Sequence, residues 1–309
     1  MERKLLSKVW GGRALEDTLG LELPEDGAPI GESWEVYDRP EGSSPIRGSD
    51  ETLGQLVRRC PEELVGRDVR LGHKGAFPLT LKFLDAREAC SLQVHPSDEQ
   101  AHDDIGKDEC CLILHTDERA SFVHGVREGV EPSAFFESWT TDAVHSMLYT
   151  FRPEPGQFVH TRPGVPHSLG PGVVAFEVQQ NSDQTYRIND WGRGRETALT
   201  EAREVIRLDV NHAPPVERST SLADGGELLL VTEHFAVRRY QVAHRVELAT
   251  HGRFLMITCL RGAGSVRWSS DASLPIGRAD TVLVPASNAM VAVEPEGEID
   301  VVVSCPGNH

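Results

Sequence analysis

Short strand-like runs separated by turns constrain this 309-residue chain more than any other feature. Residues 79–84, 173–178, 227–231, 254–258 and 300–303 are rich in Leu, Val, Ile and Phe, and Gly- or Pro-containing turns lie between such runs. Runs of that length with turn signals between them are the sequence form of β-barrels and sandwiches. Helical periodicity is confined to three segments. Residues 52–59 carry apolar side chains at helical spacing just before Pro61. Residues 131–149 have Pro132 near their start and an apolar face of Phe135, Phe136, Trp139, Val144 and Met147. Residues 197–208 repeat Leu199, Ala202, Val205 and Ile206 at i, i+3 and i+4. Asn211-His212-Ala213-Pro214-Pro215 reads as a linker. The expected organisation is a first domain over 1–212 and a second, β-rich unit over 216–309.

The formal net charge is −17, which argues against nucleic acid or an anionic membrane as partner. An anionic ligand would need positive charge concentrated locally, because the global field repels it. No apolar run approaches membrane-spanning length, and Met1-Glu2-Arg3-Lys4-Leu5-Leu6 turns polar too quickly for a secretory signal. A cytoplasmic protein is the expectation. The cysteines, Cys60, Cys90, Cys110, Cys111, Cys259 and Cys305, form no Cys-x-x-Cys pair and read as free thiols in a reducing compartment.

One constellation stands out chemically. Gln93 and His95 lie two apart in Ser91-Leu92-Gln93-Val94-His95-Pro96, and alternation along a strand puts such residues on one face. Glu109 opens a second strand-like run, and His167 follows a Pro-Gly turn. One amide, two imidazoles and one carboxylate make a mixed N/O donor set. It suits Zn²⁺, with Mn, Fe or Co as alternatives. The absence of a thiolate points to a catalytic rather than a structural ion. A weak repeat accompanies it: the turn–strand–turn of 155–167 has a counterpart at 279–290, where Met290 falls at the position of His167. A thioether is a poor ligand for such an ion, so the second unit is expected to be structural and metal-free.

The first copy has the spacing of the second cupin motif, Gly-x5-Pro-x-Gly-x2-His, at Gly156, Gly164 and His167, with Arg162 at the proline position and Pro163 one residue late. Around it stand Phe77-Pro78-Leu79-Thr80-Leu81-Lys82, Leu92-Gln93-Val94-His95-Pro96-Ser97-Asp98, Gly106-Lys107-Asp108-Glu109, and Asn181-Ser182-Asp183-Gln184-Thr185-Tyr186-Arg187. Ile30-Gly31-Glu32-Ser33-Trp34-Glu35 agrees with them. The chain resembles the type I mannose-6-phosphate isomerases in their shorter bacterial form, over essentially its whole length. The resemblance implies a mainly β protein of two cupin-like (jelly-roll) barrels with a few helices, the second barrel lacking metal ligands. It implies Gln93, His95, Glu109 and His167 as ligands of one Zn²⁺, and Lys82, Ser91, Lys107 and Arg187 around a small sugar phosphate.

The implied reaction interconverts mannose 6-phosphate and fructose 6-phosphate through a cis-enediol. Arg187 and Lys107 would stabilise the enediolate, and Lys82 would bind hydroxyls or the phosphate. Asp183 is the candidate base, provided that burial raises its pKa. Glu35, Glu177 and Gln179 read as groups that orient ligands. Three departures from the family pattern are Arg162 in the turn, the loosely similar stretch 117–139, and the basic segment Trp191-Gly192-Arg193-Gly194-Arg195. The rival reading is a non-catalytic, metal-dependent sugar-phosphate-binding regulator. A cupin oxygenase is a third, against which the Gln ligand and the lack of a His-x-His pair both speak.

Overall fold

A computed structural model describes residues 1–209 and 218–307; the expected linker at 211–215 lies outside them. The protein is mainly β, as expected. In the N-terminal half an antiparallel six-stranded sheet runs in the order Lys4–Gly12, Ile30–Val36, Leu79–Ala86, Val173–Gln180, Glu109–Thr116, Phe158–Thr161. A five-stranded sheet runs Tyr186–Asn189, Leu92–Val94, His167–Leu169, Phe122–Val126, Leu148–Phe151. The C-terminal half repeats the plan with a six-stranded and a four-stranded sheet. Strand pairing gives two sheets in each half, and no closed barrel forms among the described residues. In the N-terminal half the two layers are joined by side chains that meet in a cavity between them.

Alternation explains how one sheet serves two environments. Leu79, Leu81 and Phe83 point to one face, together with Val174, Phe176, Val178, Cys110 and Leu112. Lys82, Leu84, Glu177, Glu109 and Cys111 point to the other, into the cavity. The apolar face packs on Leu229, Phe235, Phe254, Met256 and Val302 of the C-terminal half, so one core runs through both halves. Phe77 and Phe254 meet with ring centroids 4.5 Å apart, and the amides of Phe254 and Ala286 bond to the carbonyls of Val65 and Leu64. The cysteines are all free, and five of the six are buried.

Of the expected helices, Leu53–Arg59 forms with a capping box between Thr52 and Gln55 and stops before Pro61. Residues 131–149 do not make one helix. Pro132–Ser138 is helical, Asp142–Ser146 is a 3₁₀ turn, and Leu148–Phe151 is a strand. The break falls where Thr141 is extended; Phe135, Trp139 and Val144 still pack in one cluster. The third helix is Leu199–Val205, shorter than 197–208, because Ile206 turns extended. No helix among the described residues is long and apolar enough to cross a membrane.

The strand Ile30–Val36 sends Glu32 and Trp34 into the cavity. Ser33 and Glu35 face the opposite side, where Arg3 bridges Glu35 at 3.4 Å and the carbonyl of Ala279 in the C-terminal half. Burial raises the Glu35 carboxyl from its ordinary 4.5 to about 7, against the opposing pull of Arg3 and of the Ser33 hydroxyl at 2.6 Å. A folded-state pKa above the unfolded one means the fold favours the protonated acid. Wild-type stability should therefore fall as pH rises from about 4.5 through about 7, by on the order of 1–3 kcal/mol. Glu35→Gln removes that dependence. Urea midpoints at pH 5 and pH 8 should move in the variant's favour at the higher pH; a wild-type-to-variant gap independent of pH would refute this.

Candidate active site and metal centre

The proposed ligands arrive from both sheets. Gln93 lies in the Leu92–Val94 strand and His95 just beyond it. His167 opens the neighbouring strand directly opposite Gln93. Glu109 opens its strand in the facing six-stranded sheet. The turn before His167 depends on Gly164, whose φ is +85° and where a Cβ would stand 2.8 Å from the Arg207 side chain. Its amide bonds to the His95 carbonyl, fastening the two histidine segments together. Arg162 is exposed and its side chain does not line the cavity.

His95, Glu109 and His167 are all buried and bring one ligand atom each within 4.8 Å of one another. The Nδ1 atoms of His95 and His167 lie 2.9 Å from the carbonyls of Gln184 and Val165. A carbonyl only accepts, so each Nδ1 carries the proton and each Nε2 is the ring atom turned inward. Burial, reinforced by the Lys107 ammonium, pushes His95 down to about 3, so this ring is neutral. His167 Nε2 faces Glu109 Oε1 at 3.0 Å and His95 Nε2 faces Glu109 Oε2 at 3.4 Å. Nitrogen and oxygen atoms converging in this way form a donor set that a divalent ion fits. The Gln93 amide nitrogen is 3.3 Å from His167 Nε2, while its oxygen takes a hydrogen bond from Ser91. As a ligand Gln93 would present the oxygen after turning its amide over.

Lys107 reaches the same point, with Nζ 2.7 Å from Glu109 Oε2 and 3.1 Å from His95 Nε2. Burial alone would raise the Glu109 carboxyl, but Lys107 and the imidazoles overcome it and hold the group well below the ordinary carboxylate range. Beside them Lys82 donates to Gln179 and lies 3.3 Å from Glu177. Burial disfavours the Lys82 charge, yet Glu177, Glu32 and Glu109 raise its pKa above the ordinary amine value. Burial wins at Glu177, whose carboxyl is raised in spite of Lys82.

These groups line a cavity of about 900 Å³ including its open mouth. Gln93, Glu109, His167, Lys82, Ser91, Lys107, Glu177, Asp183 and Arg187 all line it; His95 and Gln179 sit behind the wall, and Glu35 faces the other side of its strand. Asp183 is at the cavity but exposed, so it lacks the burial a strong base there requires. Arg187 is held by Ser91 Oγ and the Glu196 carbonyl, not by Asp183.

Sequence reasoning missed Lys8, Trp10, Glu32, Trp34 and Arg195, which also line the cavity. Their signal was polar or aromatic residues two apart, Lys8 with Trp10 and Glu32 with Trp34, inside strands. Lys8 lies 3.1 Å from Glu32, and the Trp34 indole donates to Glu32 at 2.6 Å. Arg195 is placed by a compact turn: Trp191, Gly192 and Gly194 have positive φ, and Arg193 and Arg195 both close on Asp190. Each lysine lining the cavity sits on a carboxylate. Arg193 and Arg195, by contrast, share the one carboxylate of Asp190, and the charge of nearby Arg187 is opposed first by burial and then by Arg195. This is the local positive charge that an anionic ligand of an acidic protein requires.

Comparison with known proteins agrees with this geometry. Residues 1–120 match the family model described as phosphomannose isomerase type I, catalytic domain. The chain is 31% identical over 297 residues to the mannose-6-phosphate isomerase ManA of Bacillus subtilis, with 90% of each chain covered. The crystal structure of mannose 6-phosphate isomerase from Bacillus subtilis matches with a TM-score of 0.85 at 27% identity, covering 98% of both chains. A mannose 6-phosphate isomerase described as bound with zinc and yttrium shares the fold, with a TM-score of 0.78, 16% identity and 97% of both chains covered.

Proposed function

This chain belongs to the type I mannose-6-phosphate isomerase family, whose members are aldose–ketose isomerases, and from that premise we propose that it interconverts mannose 6-phosphate and fructose 6-phosphate with one zinc ion. The observation that carries the reading is the convergence of His95 Nε2, His167 Nε2 and Glu109 on one buried point of a cavity that also has a cationic corner. Gln93 completes the donor set. A protein of the same fold is described as bound with zinc. Zinc held here would polarise the sugar oxygens on which negative charge develops.

The chain's own residues supply the remainder. The phosphate goes to the Arg187 and Arg195 corner, backed by Arg193, rather than to Lys82, whose charge Glu177 and Glu32 already engage. The docked phosphate directs the C1–C2 end of the sugar toward Lys107 and Glu177. Lys107 donates to the oxygen that becomes anionic in the enediolate, the kind of fixed electrostatic help that is often the largest catalytic contribution. Proton transfer between C1 and C2 needs a carboxylate basic enough to take a carbon-bound proton. Glu177, buried and raised, has that environment; Asp183 at the mouth is the competing candidate.

The test is conversion of mannose 6-phosphate to fructose 6-phosphate by protein stripped with a chelator and then reloaded. Turnover should vanish on stripping and return with zinc. A stripped protein that keeps full turnover would refute the metal reading. A reloaded protein that binds the sugar phosphate without converting it would refute the isomerase.

A further inference from the structure

Arg39 lies behind the site, on the short strand Asp38–Arg39, and none of its atoms lines the cavity. Its guanidinium joins two segments that are remote in sequence. Nη2 meets Asp104 Oδ2 at 3.1 Å, with the side chains only 10% and 8% exposed. Nη1 donates to the backbone carbonyl of Asn181. Nε is buried without a partner among the described residues. An arginine that leaves one donor unsatisfied to keep two such contacts calls for an explanation.

The explanation lies in what the two segments carry. Asp104 is three residues before Lys107, in the loop that leads from His95 to Glu109. Asn181 begins the segment whose Gln184 carbonyl orients His95 through Nδ1. We infer that Arg39 is a positioning residue that fixes these segments against each other, and so holds Lys107 and the His95 ring at the working point. Ser182 Oγ, donating to the Ile105 carbonyl at 2.7 Å, and the paired hydrogen bonds between Gln180 and Asp108 are neutral ties between the same segments; Arg39 is the ionic one. Without it Asp104 would be a buried carboxylate with no counter-charge, and its loop would move toward water. The kinetic part of this inference rests on the isomerase reading above.

The experiment uses the full-length, zinc-loaded protein. Arg39→Ala should lower kcat on mannose 6-phosphate by roughly 10- to 100-fold, with KM within about threefold of wild type because the groups that bind the phosphate are untouched. Added guanidinium ion should restore part of the lost kcat, and zinc should be lost to a competing chelator roughly tenfold more readily than from wild type. An unchanged kcat would overturn the inference. So would a loss that tracks thermal stability and is not rescued by guanidinium, since that describes a fold-supporting arginine only. If wild type itself fails to convert mannose 6-phosphate, the functional reading fails separately. Chelator competition then decides alone: a weaker hold on zinc in Arg39→Ala supports the clamp, and an equal hold overturns it.

Discussion

Glu109→Gln is expected to reduce zinc-dependent turnover by at least about a thousandfold, or roughly 4 kcal/mol of transition-state stabilisation. Glu109 is the anionic member of the donor set and touches three of its neighbours at once: Lys107 at 2.7 Å, His167 at 3.0 Å and His95 at 3.4 Å. An amide of the same size removes the charge that would hold a divalent ion. It also leaves the buried Lys107 ammonium without its carboxylate, and such a one-sided loss costs about 3–5 kcal/mol where the pair is buried. Metal content by elemental analysis separates the two effects. The variant should be recovered folded by circular dichroism yet depleted of zinc, and excess zinc should restore little turnover. Glu109→Asp keeps the charge and should recover part of the zinc content. Stoichiometric zinc in Glu109→Gln with turnover near wild type would remove Glu109 from the metal site.

The parts of this molecule legible in the sequence are those set by local chemistry. The strand runs at 79–84, 173–178 and 227–231 lie within strands, because β-branched and aromatic residues between turns have few other ways to be buried. The convergence of His95, Glu109 and His167 was also readable, since alternation and one glycine turn place them. What could not be read depends on pairing between distant segments. The apolar face at 131–149 suggested one helix, but a tertiary cluster recruits Phe135 and Trp139 from the helix and its cap and Val144 from the separate 3₁₀ turn. Pro214 and Pro215 suggested a linker, but nothing local to them shows that one apolar core, with Phe77 against Phe254, draws on residues from both sides of it. Arg195 looked like one more basic residue until the left-handed path through Trp191, Gly192 and Gly194 folded it onto Asp190. Lys82 looked free to bind phosphate because Glu32 is brought near it only by the pairing of Ile30–Val36 with Leu79–Ala86, which sets Trp34 opposite Lys82.

Glu177→Gln and Asp183→Asn should differ sharply, and the contrast locates the base. In Glu177 the desolvation of a fully enclosed carboxylate outweighs the nearby Lys82 ammonium, so its pKa is raised. A base whose pKa moves up toward the working pH gains proton affinity, which general-base catalysis favours. Removing it should cost about 10²–10⁴ in kcat with little change in KM, because the cationic corner that would anchor the phosphate is intact. Lys82 keeps Glu32 and Glu109 as counter-charges, so the fold should survive. Asp183 is exposed, water already solvates its charge, and Asp183→Asn should leave turnover within a few-fold of wild type. The pH profile gives an independent reading. A base must be deprotonated to act, so wild-type kcat should rise with pH on the acid side, and that limb should disappear in Glu177→Gln while persisting in Asp183→Asn. The opposite pattern, a dead Asp183→Asn beside an active Glu177→Gln, would move the base to the mouth of the cavity and require the sugar to bring its own desolvation with it.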